Sequence, residues 1–373
     1  MKTVKIIFLT ILLLLSFSVC AHGEEDIISE YSDDYYDLLS DSLSDEAKEI
    51  LNNSGFDSID FKKILSSEPK DIIDFFINMA KGKLSSPLKN FIVNAGVLVI
   101  TGVCFSYLSD DEKKKSAVTI VVYAYIALSV CVPMKSLLSA GLAAISMSSK
   151  FMLTLLPILA GIIAAGNNPL LALNYNSVTL YLAEAISTFS SSFLVPFEGM
   201  FFALVCVSVV SDTMRIKNLA EMIKNTVVKT LSVLASIFTA FLSIKGILSN
   251  IADSVTVKGV KLIVSSAVPI IGNSMSDAYA TVVNSLLLLR SSVGVFGIVA
   301  ICAVNLPVIT ELFLWSFSMT CSAVVSDVFG LKSVATFYRD ISSVIKTFNA
   351  ILIFCCVLFV ISTGILLTIK NSV

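Results

Sequence analysis

Ser211-Asp212 … Lys229-Thr230 … Gly246-Ile247-Leu248, and again Ser326-Asp327 … Lys346-Thr347 … Gly364-Ile365-Leu366: one pattern occurs twice in the apolar half of this chain. Each copy opens on Ser-Asp, passes through a basic stretch to Lys-Thr, and closes an apolar run on Gly-Ile-Leu. The offsets are 115, 117 and 118 residues, so the copies align with small gaps. A period of that size inside hydrophobic sequence points to a duplicated membrane unit, as in many transporters and pores. Chance recurrence is the competing reading, because Ser, Lys, Gly and Leu are all common at membrane boundaries. Both basic segments, Asp212 to Lys229 and Leu331 to Lys346, are expected on the cytoplasmic face ahead of an outward-going helix. Same-side placement makes the repeats parallel rather than inverted.

Composition supports a membrane setting. The chain has 373 residues, 56% hydrophobic and 14% charged, with mean hydropathy +0.89. Soluble domains carry roughly 25% charged residues. The charge is also segregated, since sixteen of the 28 acidic residues lie between Glu24 and Asp74. Residues 1–21 read as a secretory signal: Lys2 and Lys5 precede an apolar Ile6 to Phe17 core and a small-residue site at Val19-Cys20-Ala21. Cleavage is expected, with an uncleaved first helix as the alternative. Seven cysteines, Cys104, Cys131, Cys206, Cys302, Cys321, Cys355 and Cys356, lie in apolar runs where a thiol packs as a small hydrophobe. The only histidine is His22. Neither a zinc site nor a histidine triad can be built from this set, and no enzymatic activity, cofactor, metal or nucleic-acid partner is expected.

The reading is therefore an all-α, polytopic helical membrane protein with about six to eight spans after a cleaved signal peptide. Residues 22–88 form a small acidic, helical ectodomain in which Ser44-Asp45-Glu46-Ala47 looks like an N-cap with acidic first-turn residues. Residues 89–140 form a two-span hairpin, Phe91 to Leu108 and Ala117 to Met134, around a loop containing Lys113-Lys114-Lys115. That triple lysine marks the cytoplasmic side and leaves the mature N-terminus extracytoplasmic. Residues 150–250 and 260–373 are the two repeats. The first begins with a span from Phe151 to Gly166, broken by Pro157. The second begins with two short segments that suggest a re-entrant hairpin around Pro269, and continues through Val293 to Trp315.

Ionisable groups at membrane depth cost ~2.5–3.5 kcal/mol on insertion scales, so each is a candidate for function. Glu198 follows Pro196, and Glu311 follows Pro307. Both then sit near corresponding places in the two copies. Two readings stay open for them: a polar lining to a translocation path, or interfacial side chains that snorkel. Glu184, on an amphipathic stretch, reads as interfacial. The Gly-rich piece Gly294-Val295-Phe296-Gly297 suits close helix packing.

These features together resemble the stage III sporulation protein AE family. The likeness is carried by Val268-Pro269-Ile270-Ile271-Gly272-Asn273-Ser274-Met275-Ser276-Asp277-Ala278, running on to Leu286-Leu287-Leu288-Leu289-Arg290-Ser291-Ser292-Val293-Gly294. Leu156-Pro157-Ile158-Leu159 with Gly166-Asn167 adds a second motif. The resemblance adds Pro157, Pro269 and Asp277 to the candidate packing or path residues. It implies a component of a channel or secretion complex joining mother cell and forespore during endospore formation. It further implies partners from the same operon, including a cytoplasmic secretion-type ATPase and ring-forming proteins, and a place in the mother-cell-derived outer forespore membrane. A stand-alone secondary transporter for a small solute is the alternative that the repeat and the paired glutamates also fit.

Overall fold

The computed structural model describes residues 35–53, 69–107, 112–165, 181–210, 214–264 and 272–367. Among them there is no strand. After a helical turn at 35–40 come α1 (Asp45–Asn53), α2 (Pro69–Tyr107) and α3 (Glu112–Ala165). Helix α4 covers 181–210, with a π-helical turn at Ser190–Leu194 leading into Val195–Val210. Then follow α5 (Met214–Val264), α6 (Gly272–Val328) and α7 (Lys332–Leu367). Six stretches are long and apolar enough to cross a bilayer, which fits a multi-pass membrane protein. The leader and the Pro269 segment lie outside the described residues.

The helices are longer than their apolar runs suggest. Ala117 to Met134 and Phe151 to Gly166 read as separate spans, but α3 passes through both without a break. Between Lys135 and Lys150 the stretch is Leu, Ala, Ser, Met and Ile with a single Gly141 and no proline or polar turn cluster to stop it. Pro133 and Pro157 each remove one backbone hydrogen bond, which kinks a helix without ending it once packing holds both sides. The same holds for α6 across Pro307, and α5 and α7 each join a basic segment to the apolar run behind it. The apolar stretches of α3 and α6 have 44 and 41 residues. At 1.5 Å per residue each is about 60–65 Å long, twice the ~30 Å of a bilayer's hydrocarbon.

Helices α6 and α7 form the buried centre as an antiparallel hairpin. Ser342 Oγ donates to the Ser316 carbonyl at 3.1 Å, and Asn349 Nδ2 reaches the Ile309 carbonyl at 3.4 Å. The turn between them is a Schellman cap. Gly330, at φ 73°, donates to the Asp327 carbonyl at 3.0 Å, and Leu331 donates to that of Ser326 at 2.9 Å. An ion pair between Arg339 and Asp327 ties the hairpin across its mouth. Helix α3 lies along this centre. Asn305 Nδ2 donates to Ser148 Oγ at 2.7 Å, and a Cβ on Gly297 would come within 2.6 Å of Leu155 Cδ2. The expectation of close packing at Gly297 therefore has a physical basis. Helix α2 is fixed by Ser318, which donates to the Pro87 carbonyl at 3.1 Å, and meets α3 where Asn90 donates to the Ser129 carbonyl at 3.1 Å. Helix α4 touches α3 at Cys131 and Cys206, whose sulfurs are 3.7 Å apart.

The acidic N-terminal segment does not stand apart from this bundle. Ser44 is the N-cap the sequence suggests, with its Oγ accepting from Ala47 N–H at 3.2 Å. Leu39, Leu43, Ala47 and Leu51 are buried, and Tyr36 packs edge-on against Phe296 of α6, with ring centroids 5.5 Å apart. Too apolar on one side to remain in water and too short for a core of its own, α1 uses the bundle as its core. Substituting Gly330→Ala should destabilise the protein by ~1–2 kcal/mol through left-handed backbone strain alone, since a Cβ there meets no neighbour. Thermal unfolding in detergent should show a lowered midpoint for Ala and a smaller loss for Gly330→Asn.

Candidate functional site

Glu198 is the most unusual polar group in the bundle. It lies one turn beyond the π-helical Ser190–Leu194, a widened turn of the kind often found where a helix serves function. Its side chain is fully buried, and among the described residues neither carboxyl oxygen has a hydrogen-bond partner. The interfacial, snorkelling reading therefore does not describe it. The charge of Lys224 on α5 reaches it, and Lys224 and Lys217 also act on Asp340 of α7. Three helices thus bring two carboxyls and two lysines into one electrostatic neighbourhood. The two basic segments, 115 to 118 residues apart in sequence, meet here. Sequence reading marked Glu198 by its depth but did not connect it with Asp340, because no local spacing encodes the Lys224 charge that acts on both.

Glu311 has a different environment. Lys83 Nζ stands 3.6 Å from its carboxylate and 2.9 Å from that of Glu46. One lysine of α2 thereby joins the docked α1 to the central α6. All three side chains keep some exposure, so the network is a wet clasp of modest strength rather than a buried charge. Lys83 went unmarked in the sequence because its partners lie far from it along the chain. Glu198 and Glu311, though both on the helix that precedes a basic segment, do not share one site.

The remaining candidates are dispersed. Glu184 Oε1 accepts from Ser149 of α3 and, at 3.4 Å, from Thr188, while Oε2 is buried without a partner among the described residues. It joins two helices rather than facing an interface alone. Pro157 is on an exposed face of α3, and Asp277 is on α6. Pro269 lies outside the described residues. A polar pair missed by the sequence reading, Asn305 and Ser148, is fully within the core.

Two outcomes follow from this geometry. Glu198→Gln should hold or raise the thermal midpoint, because it removes a buried carboxyl without donors, whereas Glu198→Lys should prevent folding into membranes. Lys83→Met should weaken α1 docking by about 1 kcal/mol, read as roughly fivefold faster limited proteolysis within the docked 35–53 segment.

Comparison with known proteins gives a consistent result. The chain matches the family Stage III sporulation protein AE over residues 89–370. It is 28% identical over 230 residues to the Stage III sporulation protein AE of Bacillus subtilis (strain 168), covering 61% of this chain and 57% of that relative. The match thus spans little more than half of the relative's length. No solved structure matches. The architecture, the motifs around Pro157 and Pro269 and a family match over most of the chain agree: this protein belongs to the stage III sporulation protein AE family.

Proposed function

We propose that this protein is a non-enzymatic, integral membrane subunit of the channel or secretion complex that connects mother cell and forespore and is needed for endospore development. Its family gives it a role in sporulation. The single observation that carries the finer reading is the shape of the bundle. Its long helices continue well past one bilayer thickness, and its acidic N-terminal segment is held on their flank through Lys83. Helices that overrun a membrane offer surface for assembly with other subunits on one or both sides. In this reading the protein occupies the mother-cell-derived outer forespore membrane with its mature N-terminus in the intermembrane space. Its partners are the other products of the same operon, a cytoplasmic secretion-type ATPase and ring-forming proteins among them.

The buried Glu198 favours a second reading, a self-sufficient carrier for a small solute. The two separate cleanly in experiment. In-frame deletion in the parent spore-former should block spore formation, and affinity capture of the full chain from sporulating cells should bring down the ATPase and ring proteins. A deletion strain that sporulates normally, together with solute uptake by the purified chain alone in liposomes, would establish the carrier instead.

A further inference from the structure

Neither Glu198 nor the Lys83 clasp lines the cavity of about 250 Å³ where α2 ends and α3 and α7 begin. Thr101 and Phe105 of α2, Val122 and Tyr123 of α3, and Lys332 and Ser333 of α7 form its walls. Close packing beside it holds its shape, since a Cβ on Gly102 of α2 would stand 2.5 Å from Phe329 Cδ1 in the α6–α7 turn. Its level in the membrane follows from the neighbouring residues. Asp110-Asp111-Glu112-Lys113-Lys114-Lys115 separates the apolar run of α2 from that of α3, and six consecutive charges stay out of hydrocarbon. The run of α2, Gly82–Tyr107, is about 39 Å long at 1.5 Å per residue, so it crosses one ~30 Å hydrocarbon layer and ends at its boundary. Phe105 stands two residues before that end, and Val122 two residues after Ile120, where the run of α3 starts. Lys332 opens the run of α7. Three span ends converge here, which places the cavity at the boundary between membrane and water.

The walls divide by chemistry. Phe105, Val122 and the Tyr123 ring are apolar, whereas Lys332 brings an ammonium and Ser333 a hydroxyl. Among the described residues Lys332 has no ion pair, and Asp327, the acid nearest to it along the chain, is taken by Arg339. The charged run between α2 and α3 holds three acids and three bases, so it adds no net repulsion toward an anion. Thr101 supplies no donor, because its hydroxyl proton goes to the Val97 carbonyl at 2.7 Å. Within α7 the first N–H to bond back is that of Ala335, to the Leu331 carbonyl at 2.9 Å, so those of Ser333 and Val334 have no helical acceptor and add to the preference for an anion. The cavity is smaller than the roughly 300–1,000 Å³ of pockets that enclose a whole small molecule. It fits the anionic end of an occupant whose remainder lies outside. The adjoining surface fits an apolar remainder: Ile100 and Val103 of α2 are 65% and 48% exposed, and Ile120 and Val121 of α3 are 65% and 69% exposed.

We propose that this cavity binds the phosphate headgroup of an anionic phospholipid, with Lys332 as its counter-charge and the acyl chains laid along the exposed α2 and α3 flank. Basic recesses between membrane helices recognise such headgroups. The phosphate oxygens accept from the ammonium, the Ser333 hydroxyl and the open N–H groups together. A lipid held in this way ties the end of α2 and the start of α3 to the α6–α7 turn. The site belongs to the chain itself and is independent of the complex that the chain joins.

The test uses the full-length chain reconstituted in phosphatidylcholine vesicles, with Phe105→Trp as a fluorescent reporter in the cavity wall and Tyr123→Trp as a second reporter position. Trp315 is the only native tryptophan, and the parent chain supplies its background. Phosphatidylglycerol brominated near the headgroup end of its chains should quench the reporter with a relative binding constant about fivefold above that of brominated phosphatidylcholine, the factor for one lysine at an anionic surface. Lys332→Gln should abolish that preference and Lys332→Arg should keep it. Lys150→Gln, at an exposed position elsewhere on α3, should leave it unchanged. Because Lys332 is exposed, Lys332→Gln should melt in detergent at the same temperature as the parent. An excess of inorganic phosphate should leave the quenching as it was. Equal quenching by the two lipids would overturn the proposal, as would a preference that survives Lys332→Gln or falls equally with Lys150→Gln. Displacement of the lipid by inorganic phosphate would assign the cavity to a free anion and overturn the lipid assignment.

Discussion

Lipid gives two apolar helices no hydrophobic reason to associate, so their contact must come from shape and from polar groups that cannot be satisfied elsewhere. The α6–α7 hairpin meets that constraint through a seam of hydroxyls. Ser342 serves the Ser316 carbonyl, Thr320 and Ser316 lie on the same hydroxyl, and Asn349 reaches across to Ile309. Around the seam, Phe348, Phe359 and Tyr338 are almost wholly buried. The Gly330 cap then sets the pairing register, because both of its hydrogen bonds count back to fixed positions on α6. Every other helix takes its place from this hairpin. Ser148 of α3 finds Asn305, Pro87 of α2 finds Ser318, and the N-terminal turn finds Phe296.

The charged groups follow from the same constraint. Some are gathered where water still reaches them, and one is buried. Lys83 gathers Glu46 and Glu311 at a wet flank, where each pair contributes little but together they hold the N-terminal segment. Glu198 has no such clasp among the described residues and lies where α4, α5 and α7 converge. A buried carboxyl without donors is an expense a merely structural bundle would shed, which separates it from Glu184, already used to join α3 and α4.

Much of the architecture was legible in the chain. Runs of apolar sequence too long and too uncharged for a soluble core required membrane helices. Ser44 announced the start of α1, and the motifs at Pro157 and at 268–294 carried the family. Boundaries were less legible. Hydropathy divides α3 at Lys135 and Lys150 because it scores each residue alone, whereas the backbone continues wherever neighbours support it. The basic segments, expected directly ahead of their apolar runs, are the first turns of α5 and α7.

What the sequence determined by itself, then, is the medium and the inventory: which stretches avoid water, where charge is rationed and which family the chain joins. Only the tertiary structure decided which rationed charges share a neighbourhood, and which of them are buried. The physical reason is that hydropathy is a property of a residue, while the cost of a buried charge depends on what stands across from it. Lys83 and Glu311, or Asp340 and Lys224, are far apart along the chain and meet only once the helices have packed.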